Sequence, residues 1–536
     1  MAHKQKYCGN GDASEKNFVQ SNAIASDLSP GLEDDMVDRA AIYLTQAVEY
    51  PPLTPEVERA IVRKIDWIVL PMLLLTATLG AVDKVALGTA ALYGLREDLG
   101  LKGQTYAWAG SILPIGAIAG MWPSSYLVHR FPSAKYLCVC SIGWSAVTLL
   151  IPTCTGGQSL LALRFIMGFL EAIIVPGISL LIAGFYKKRE QPPRNAIVFS
   201  AFSSVINGFL SYTVGRIPSP APLRLWQYLF LIVGSVSMAW SIFAFIFLPN
   251  SPMDARFLTD EEKYHAVKRL AENKTGIVNK RWKWNQVIEA VLDPKTWIIF
   301  LFNVAINIPN GGLITFGGIL IKNLGFSPIQ ASLLNMPTGV MSTLSAFIFS
   351  SLAARWANRR CLVTMLAASV PVIGSIIVYT LKRTDIPAQI IGLYFLYTYF
   401  GPYVVGKLES YPLYRYTQLN ACQGISLAQA NTAGHTKKNV QYSILYIGYA
   451  VGNLIGPQTF RDSQAPAYTG GFIAMLACYC SCILLMGMYW ILAAWMNKRA
   501  SRARVSATCE GLSVENHIDQ FMDKSDFKQV NFKYTT

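Results

Sequence analysis

Charged residues are scarce in this sequence of 536 residues: Asp, Glu, Lys and Arg make up only 14% of it, whereas 52% is hydrophobic. Soluble domains contain about 25% charged residues, so this composition excludes an ordinary soluble globular protein. Apolar stretches long enough to cross about 30 Å of hydrocarbon recur along the chain. These features predict an all-α polytopic membrane protein.

Histidine is also rare, and the five histidines lie far apart in the sequence, at His3, His129, His265, His435 and His517. The ten cysteines include two groups within apolar segments, and neither group has the spacing of zinc ligands. No catalytic constellation is visible. We therefore expect no enzymatic activity, no metal and no cofactor.

Acidic residues are fewer than basic ones, which gives a formal net charge of +15. The basic residues lie between the apolar segments rather than in one patch, so nucleic acid is not an expected partner. The first 64 residues are polar and lack the apolar segment of a signal peptide. Membrane insertion is therefore expected to begin at an internal helix.

About twelve apolar windows have transmembrane length, and they lie near residues 66–90, 105–128, 136–153, 159–185, 196–215, 226–248, 296–319, 330–352, 361–381, 388–405, 439–459 and 471–495. They form two sets of six, separated by a polar stretch. The pattern predicts five regions, namely an N-terminal tail with a pre-membrane helix at 1–64, six-helix halves at 65–248 and 296–497, a central loop with a short helix at 249–295, and a C-terminal tail at 498–536.

Lysine and arginine concentrate in alternate loops. They follow the fourth, eighth and twelfth windows, precede the eleventh, and are frequent in the central loop, whereas the loops at 153–157 and 323–327 carry no charge. Because positively charged loops remain in the cytosol, the pattern predicts that both termini and the central loop are cytosolic. The expected location is the lipid bilayer of the plasma membrane.

Capping residues indicate two helix starts outside the windows. Thr259 and Glu262 have the spacing of a capping box, which predicts a helix that extends to about Glu272. Thr54-Pro55 predicts the start of another helix just before the first window.

One arginine and one glutamate interrupt the fourth window, in the stretch RFIMGFLEAIIVPG from Arg164 to Gly177. A charge in hydrocarbon costs from about 3 to more than 10 kcal/mol. Residues seven apart lie on nearly one helix face, so Arg164 and Glu171 are predicted to face the interior of the bundle. Alternatively, Arg164 reaches the lipid headgroups, but Glu171 is short and lies near the middle of the membrane.

Asp83 and Lys84 place a second pair of charges in the first window. Adjacent helical residues point about 100° apart, so the two are not expected to be each other's partner. One would face the interior of the bundle and the other a neighbouring helix. Alternatively, both lie near an interface and are solvated.

An ordered set of motifs extends over most of residues 60–500. The motifs are Asp83-Lys84, R-F-x-x-G-x-x-E-A-x-x-x-P-G at 164–177, F-Y-K-K-R-E at 185–190, W-Q-Y-L-F-L at 226–231, L-P-N-S-P at 248–252, F-L-T-D-E-E at 257–262, P-N-G-G at 309–312, L-L-N-M-P-T-G at 333–339, N-T-A-G-H-T-K-K at 431–438 and G-N-L-I-G-P-Q at 452–458. By these motifs the chain resembles the major facilitator superfamily and, within it, the anion:cation symporter family and its fungal allantoate permease-like branch.

The resemblance implies a major facilitator fold of about twelve transmembrane helices in two pseudo-symmetric halves, in a monomer. It also implies that Lys84 and Arg164 are the cations that meet an anionic substrate in a central cavity. Glu171 corresponds to the carboxylate linked to proton coupling, and Asp83 is a second candidate for this role. The expected activity is secondary transport of a small organic anion, such as allantoate or nicotinate, by proton symport with alternating access. The alternatives are efflux of a fungal secondary metabolite and nutrient sensing without transport.

Other polar groups at membrane depth are weaker candidates for substrate binding, namely Asn307, Asn310, Asn335, Gln441 and Tyr442. Two of them flank Pro309, where a broken helix would expose polar groups to substrate, or where neighbours would satisfy a simple kink. The gating candidates are Arg130, Lys187 and Arg189. The loop P-S-S-Y-L-V-H-R-F-P keeps the arginine of the superfamily's gating motif but has no acid at the aspartate position.

Residues 406–423 interrupt the tenth window with Lys407, Glu409, Arg415 and three tyrosines, and they have no helical period. Joining GPYVV directly to GISLAQANTAGHTKK restores one continuous window that resembles the family's. We hypothesise that this insertion is translated from an unspliced intron.

Overall fold

The computed structural model describes residues 50–51, 53–187, 190–198, 203–218, 222–271, 283–356, 359–405, 431–432, 435–509 and 525–526. In these ranges the regular structure is helical and contains no strand. The α-helices longer than five residues in these ranges are α1 (Pro55–Ala90), α2 (Thr105–Arg130), α3 (Ser133–Leu150), α4 (Gly157–Glu171), α5 (Ile174–Phe185), α6 (Gln191–Val198), α7 (Ser203–Gly215), α8 (Leu225–Phe247), α9 (Asp260–Ala271), α10 (Trp284–Leu292), α11 (Pro294–Lys322), α12 (Pro328–Arg355), α13 (Arg360–Thr380), α14 (Ile386–Leu396), α15 (Phe400–Val405), α16 (His435–Gln458) and α17 (Thr469–Cys509).

Nine helical segments within the described ranges are long and apolar enough to cross a membrane. They contain α1, α2, α3, the α4–α5 pair, α8, α11, α12, α13 and α17. The predicted windows at 196–215, 388–405 and 439–459 are not among the nine, but α7, the α14–α15 pair and α16 occupy them. Polar side chains such as Gln441 and Asn453 lower the hydropathy of α16. The window at 388–405 is interrupted by a turn, and the window at 196–215 is only partly described. The prediction of an all-α membrane bundle is confirmed.

Capping residues set the starts of α1 and α9 as the sequence predicts. The Thr54 hydroxyl accepts a hydrogen bond from the Val57 amide at 3.4 Å, and Pro55 occupies the first helical position. At α9, the Glu262 amide donates to the Thr259 hydroxyl and the Thr259 amide donates to the Glu262 carboxylate. Residue 272, the expected end of this helix, lies outside the described residues, and α9 extends to Ala271.

Two of the membrane windows are interrupted near a proline. The window at 159–185 divides into α4 and α5, with a turn at residues 172–173. Pro176 has no amide hydrogen to donate to the Ala172 carbonyl four residues earlier, so one hydrogen bond of a regular helix is absent at this turn. The tenth window contains a 3₁₀ turn, Tyr397–Tyr399, just before Pro402 in α15. Neither window is therefore one regular helix, and Glu171 is the last residue of α4.

Glycines allow two helix pairs to approach closely. A Cβ at Gly116 of α2 would overlap the Phe165 carbonyl of α4, and a Cβ at Gly168 of α4 would overlap the Leu113 carbonyl of α2. Gly452 of α16 likewise faces the backbone of α11, where a Cβ would lie 2.6 Å from the Val304 carbonyl. Small residues at such contacts let helix backbones pack in a membrane. The glycines therefore let α2 pack closely on α4, and α11 on α16.

The membrane helices form an N-terminal half, α1–α8, and a C-terminal half, α11–α17. The halves meet where α2 packs on α16, α7 on α12 and α1 on α11. The predicted insertion at 406–423 lies outside the described residues.

Candidate functional site

A cavity of about 310 Å³ lies between the two halves, at the level where α4 ends and α11 passes Pro309. Helices α1, α2, α4 and α5 contribute its N-terminal wall, and α11, α15 and α16 contribute its C-terminal wall. The two walls differ in chemistry. The N-terminal wall carries charges, whereas the C-terminal wall carries amides and phenols.

We call Lys84, Arg164 and Glu171 the charged wall, and all three residues line the cavity. The Lys84 ammonium lies 3.0 Å from the Glu171 carboxylate, and the two side chains are 35% and 1% exposed. The sequence predicted that Arg164 and Glu171 share one helix face, but it did not indicate Lys84 as the partner of Glu171. Seven residues separate Arg164 and Glu171 by about 10 Å along a helix, which leaves room for Lys84 to reach Glu171 from α1.

Arg164 is 3% exposed and is held by backbone carbonyls. Its Nε donates to the Ala109 carbonyl at 3.3 Å, and its Nη1 donates to the Asp83 carbonyl at 3.4 Å. A guanidinium has five N–H donors in a fixed fork, so these two long bonds leave donors for a further acceptor. The arrangement fixes a cation in the cavity wall and suits a bidentate carboxylate.

Asp83 does not line the cavity, because its side chain is fully buried toward α3. Neither of its carboxylate oxygens accepts a well-formed hydrogen bond from a described residue. Arg164, Glu171 and Lys84 lie close enough to act on it electrostatically. The two adjacent charges of α1 therefore point in different directions, with Lys84 toward the cavity and Asp83 toward a neighbouring helix.

We call Asn307, Asn310, Asn453 and Tyr399 the amide wall. The Asn310 amide donates to the Asn453 side-chain oxygen at 3.0 Å, and the Tyr399 hydroxyl donates to the Asn310 oxygen at 2.5 Å. The Asn307 amide donates to the carbonyl and the side-chain oxygen of Asn303, one turn earlier. Because each amide has both a donor and an acceptor, this wall can exchange hydrogen bonds with a polar solute of either kind.

The other predicted substrate residues lie outside the central cavity. Asn335 lines a separate small cavity of about 40 Å³ between the halves. Gln441 is buried, where its amide donates to the Thr296 hydroxyl at 2.7 Å, and Tyr442 packs against the apolar core. The cavity-facing stripe of α16 begins one turn later than Tyr442. It consists of Tyr446, Tyr449, Ala450 and Asn453.

The gating candidates have different surroundings. Lys187 is half-buried and forms an ion pair with Glu58 of α1 at 2.6 Å. Arg130 is exposed at the end of α2. Arg189 lies outside the described residues. The gating role therefore remains a prediction for all three.

Hydrogen bonds and ion pairs between described residues of the two halves lie at the end of the bundle away from the central loop. Arg96 and Asp462 form an ion pair at 2.7 Å. The Ser111 hydroxyl donates to the Leu454 carbonyl at 2.7 Å, and the Tyr106 hydroxyl donates to the Thr315 carbonyl at the same distance. The cavity is therefore closed at this end.

A bundle of two helical halves around a buried, charged cavity is typical of membrane transporters. A family model described as Major Facilitator Superfamily matches residues 72–406. The chain belongs to the major facilitator superfamily, as the sequence motifs predict.

Curated fungal transporters are similar over nearly the whole chain. "MFS-type transporter cnsL" of Penicillium expansum is 37% identical over 481 residues, which cover 90% of this chain and 89% of the relative. "Allantoate permease" of Saccharomyces cerevisiae is 30% identical over 515 residues, with 94% and 90% covered.

Solved structures agree in fold. A bacterial homologue of the human lysosomal transporter Spinster, in an inward-facing and occupied conformation, aligns with a TM-score of 0.55 at 15% identity. The alignment covers 80% of this chain and 96% of that one. A D-xylose-proton symporter aligns with a TM-score of 0.53 at 14% identity, with 79% and 97% covered.

Proposed function

We propose that this protein transports a small organic anion together with a proton. The observation that carries the proposal is a guanidinium, that of Arg164, fixed in the wall of a central cavity with only backbone carbonyls as described hydrogen-bond acceptors. The similarity to a relative named allantoate permease supports a carboxylate as substrate. The cavity volume of about 310 Å³ suits a small solute, because ligand pockets begin near 300 Å³.

Anion binding in this cavity depends on fixed cations. A carboxylate that enters a medium of low dielectric constant loses hydration, and a preorganised cation compensates for that loss. Arg164 supplies N–H donors whose spacing matches the two oxygens of a carboxylate. The amide wall then binds the uncharged part of the solute, so that the anionic group faces α4 and the polar body faces α11.

Proton coupling follows from the ion pair between Lys84 and Glu171. While Glu171 is ionised, it neutralises Lys84 at 3.0 Å. Protonation of Glu171 removes this partner and makes the Lys84 ammonium available to the substrate carboxylate. Lys84 and Arg164 then both attract the anion. Proton and anion therefore bind together, and loss of the proton restores the ion pair and favours release of the anion.

Alternating access accounts for the closed end of the cavity. With the central loop in the cytosol, as the lysine and arginine distribution predicts, the bonds between the halves close the outside. We propose that the structure is the inward-facing state of a plasma-membrane symporter whose termini are both cytosolic. Opening outward would break the Arg96–Asp462 ion pair and the Ser111 and Tyr106 hydrogen bonds.

Uptake by purified protein in liposomes tests this function. The substrates are a panel of radiolabelled carboxylates, each measured beside its primary amide, which matches it in size but has no charge. We expect an inward proton gradient to accumulate at least one carboxylate and not its amide. Equal uptake of acid and amide, or binding of the acid without flux, would contradict the proposal.

A further inference from the structure

Four charged residues form a buried cluster outside the cavity, at the central-loop end of the C-terminal half. Lys295 near the start of α11 and Lys437 near the start of α16 are 2% and 0% exposed. Asp293, the N-cap of α11, and Asp526, from the C-terminal segment, are 0% and 2% exposed. We call these four residues the tail-docking cluster.

Asp526 bridges the two lysines of this cluster. Its Oδ2 lies 2.7 Å from the Lys295 ammonium, and its Oδ1 lies 2.7 Å from the Lys437 ammonium. Asp293 lies 3.0 Å from Lys437 and 3.4 Å from Lys295. Burial alone would raise the pKa of Asp526, but the two ammonium groups hold this pKa below its ordinary value.

The tail carboxylate takes part in half of the ion pairs that the described residues of the cluster form with one another. Both of its ion pairs are buried, and breaking a buried ion pair by removing one partner is strongly destabilising. Asp526 is also far in sequence from its partners, so the contact joins the C-terminal segment to the starts of both α11 and α16.

We propose that Lys295 and Lys437 form a carboxylate-binding site, separate from the transport cavity, whose ligand is Asp526 of the chain's own C-terminal segment. Twelve residues separate Lys295 from Asn307, which corresponds to about 18 Å along α11. The docked segment fastens together α11 and α16, the two helices that carry Asn307, Asn310 and Asn453. The site binds Asp526 whether or not the transport cavity binds an anion.

Limited proteolysis of the full-length protein tests the docking. Lys524 immediately precedes Ser525, which is 1% exposed, so trypsin reaches this bond only when the segment leaves its site. Cleavage then follows the population of the undocked state. We expect cleavage after Lys524 to be about tenfold slower in the protein than in a synthetic peptide of residues 519–531.

Variants remote from the cleaved bond identify the site. Lys437→Met removes one ligand-binding ammonium, and Lys438→Met makes the same change at the exposed neighbouring residue. We expect Lys437→Met to accelerate cleavage toward the rate of the peptide and Lys438→Met to leave it unchanged. Equal rates in the two variants would overturn the proposal. If Lys437→Met does not fold, cleavage of the wild type at the rate of the peptide would overturn it as well.

Discussion

Replacing Arg164 with glutamine tests the anion site most simply. An ion pair at 4 Å contributes about 4 kcal/mol at an effective dielectric constant of about 20. Since 1.4 kcal/mol corresponds to a factor of ten, the variant should bind a carboxylate about 10²–10³-fold more weakly. The side chain also makes two hydrogen bonds of 3.3 and 3.4 Å to carbonyls, and bonds from a charged donor contribute about 1.5–3 kcal/mol each. Stability is therefore measured together with binding.

The assay is binding of a transported carboxylate to purified protein, with thermal unfolding measured in parallel. Arg216→Gln is the matched control, because this arginine is exposed beyond the end of α7. We expect both variants to fold and only Arg164→Gln to lose affinity. Wild-type affinity in a folded Arg164→Gln protein would refute the assignment of this residue as the anion's partner.

Four further predictions concern coupling, the amide wall, the central loop and the insertion. Glu171→Gln should transport anion without dependence on the proton gradient, measured as uptake at several external pH values, and an unchanged pH dependence would exclude Glu171 from coupling. Tyr399→Phe removes the 2.5 Å hydrogen bond to Asn310 and should weaken substrate binding by about tenfold, in an equilibrium binding assay. Partial burial raises the pKa of Glu262, but hydrogen bonds from Lys64 and Thr259 outweigh this effect, so the pKa lies below its ordinary value. The stability that Glu262 contributes is therefore present above the ordinary pKa and is lost as the pH falls through the lowered pKa of the folded protein. Thermal unfolding of wild type and Glu262→Gln should accordingly converge at low pH, and a constant difference would contradict this. The mature transcript should lack the codons for residues 406–423 when it is sequenced, and the presence of these codons would disprove the intron hypothesis.

Local sequence signals predicted the parts of the fold that depend on neighbouring residues. The caps at Thr54 and Thr259 and the helical windows follow from spacing and hydropathy alone. The break after Glu171 lies near Pro176, which stands four residues beyond Ala172. A proline alone could not have indicated this break, because Pro71, Pro309 and Pro371 lie inside unbroken helices.

Contacts between helices explain what the sequence did not reveal. The partner of Glu171 is Lys84 from another helix, and no spacing within α4 indicates it. Tyr399 and Asn453 reach the cavity from separate helices, although the spacing of Tyr446, Tyr449 and Asn453 marks one face of α16. Gln441 and Tyr442 lie a turn or more before that stripe, so a polar side chain at membrane depth was not sufficient to locate the substrate site.

The most direct test of the account measures proton and anion entry together. Liposomes containing the purified wild-type protein and an internal pH indicator receive an external carboxylate with no imposed gradient. If protonation of Glu171 makes Lys84 available to the substrate, the interior of the liposomes acidifies as the anion enters, with one proton for each monoanion. Entry of the anion without acidification would contradict it.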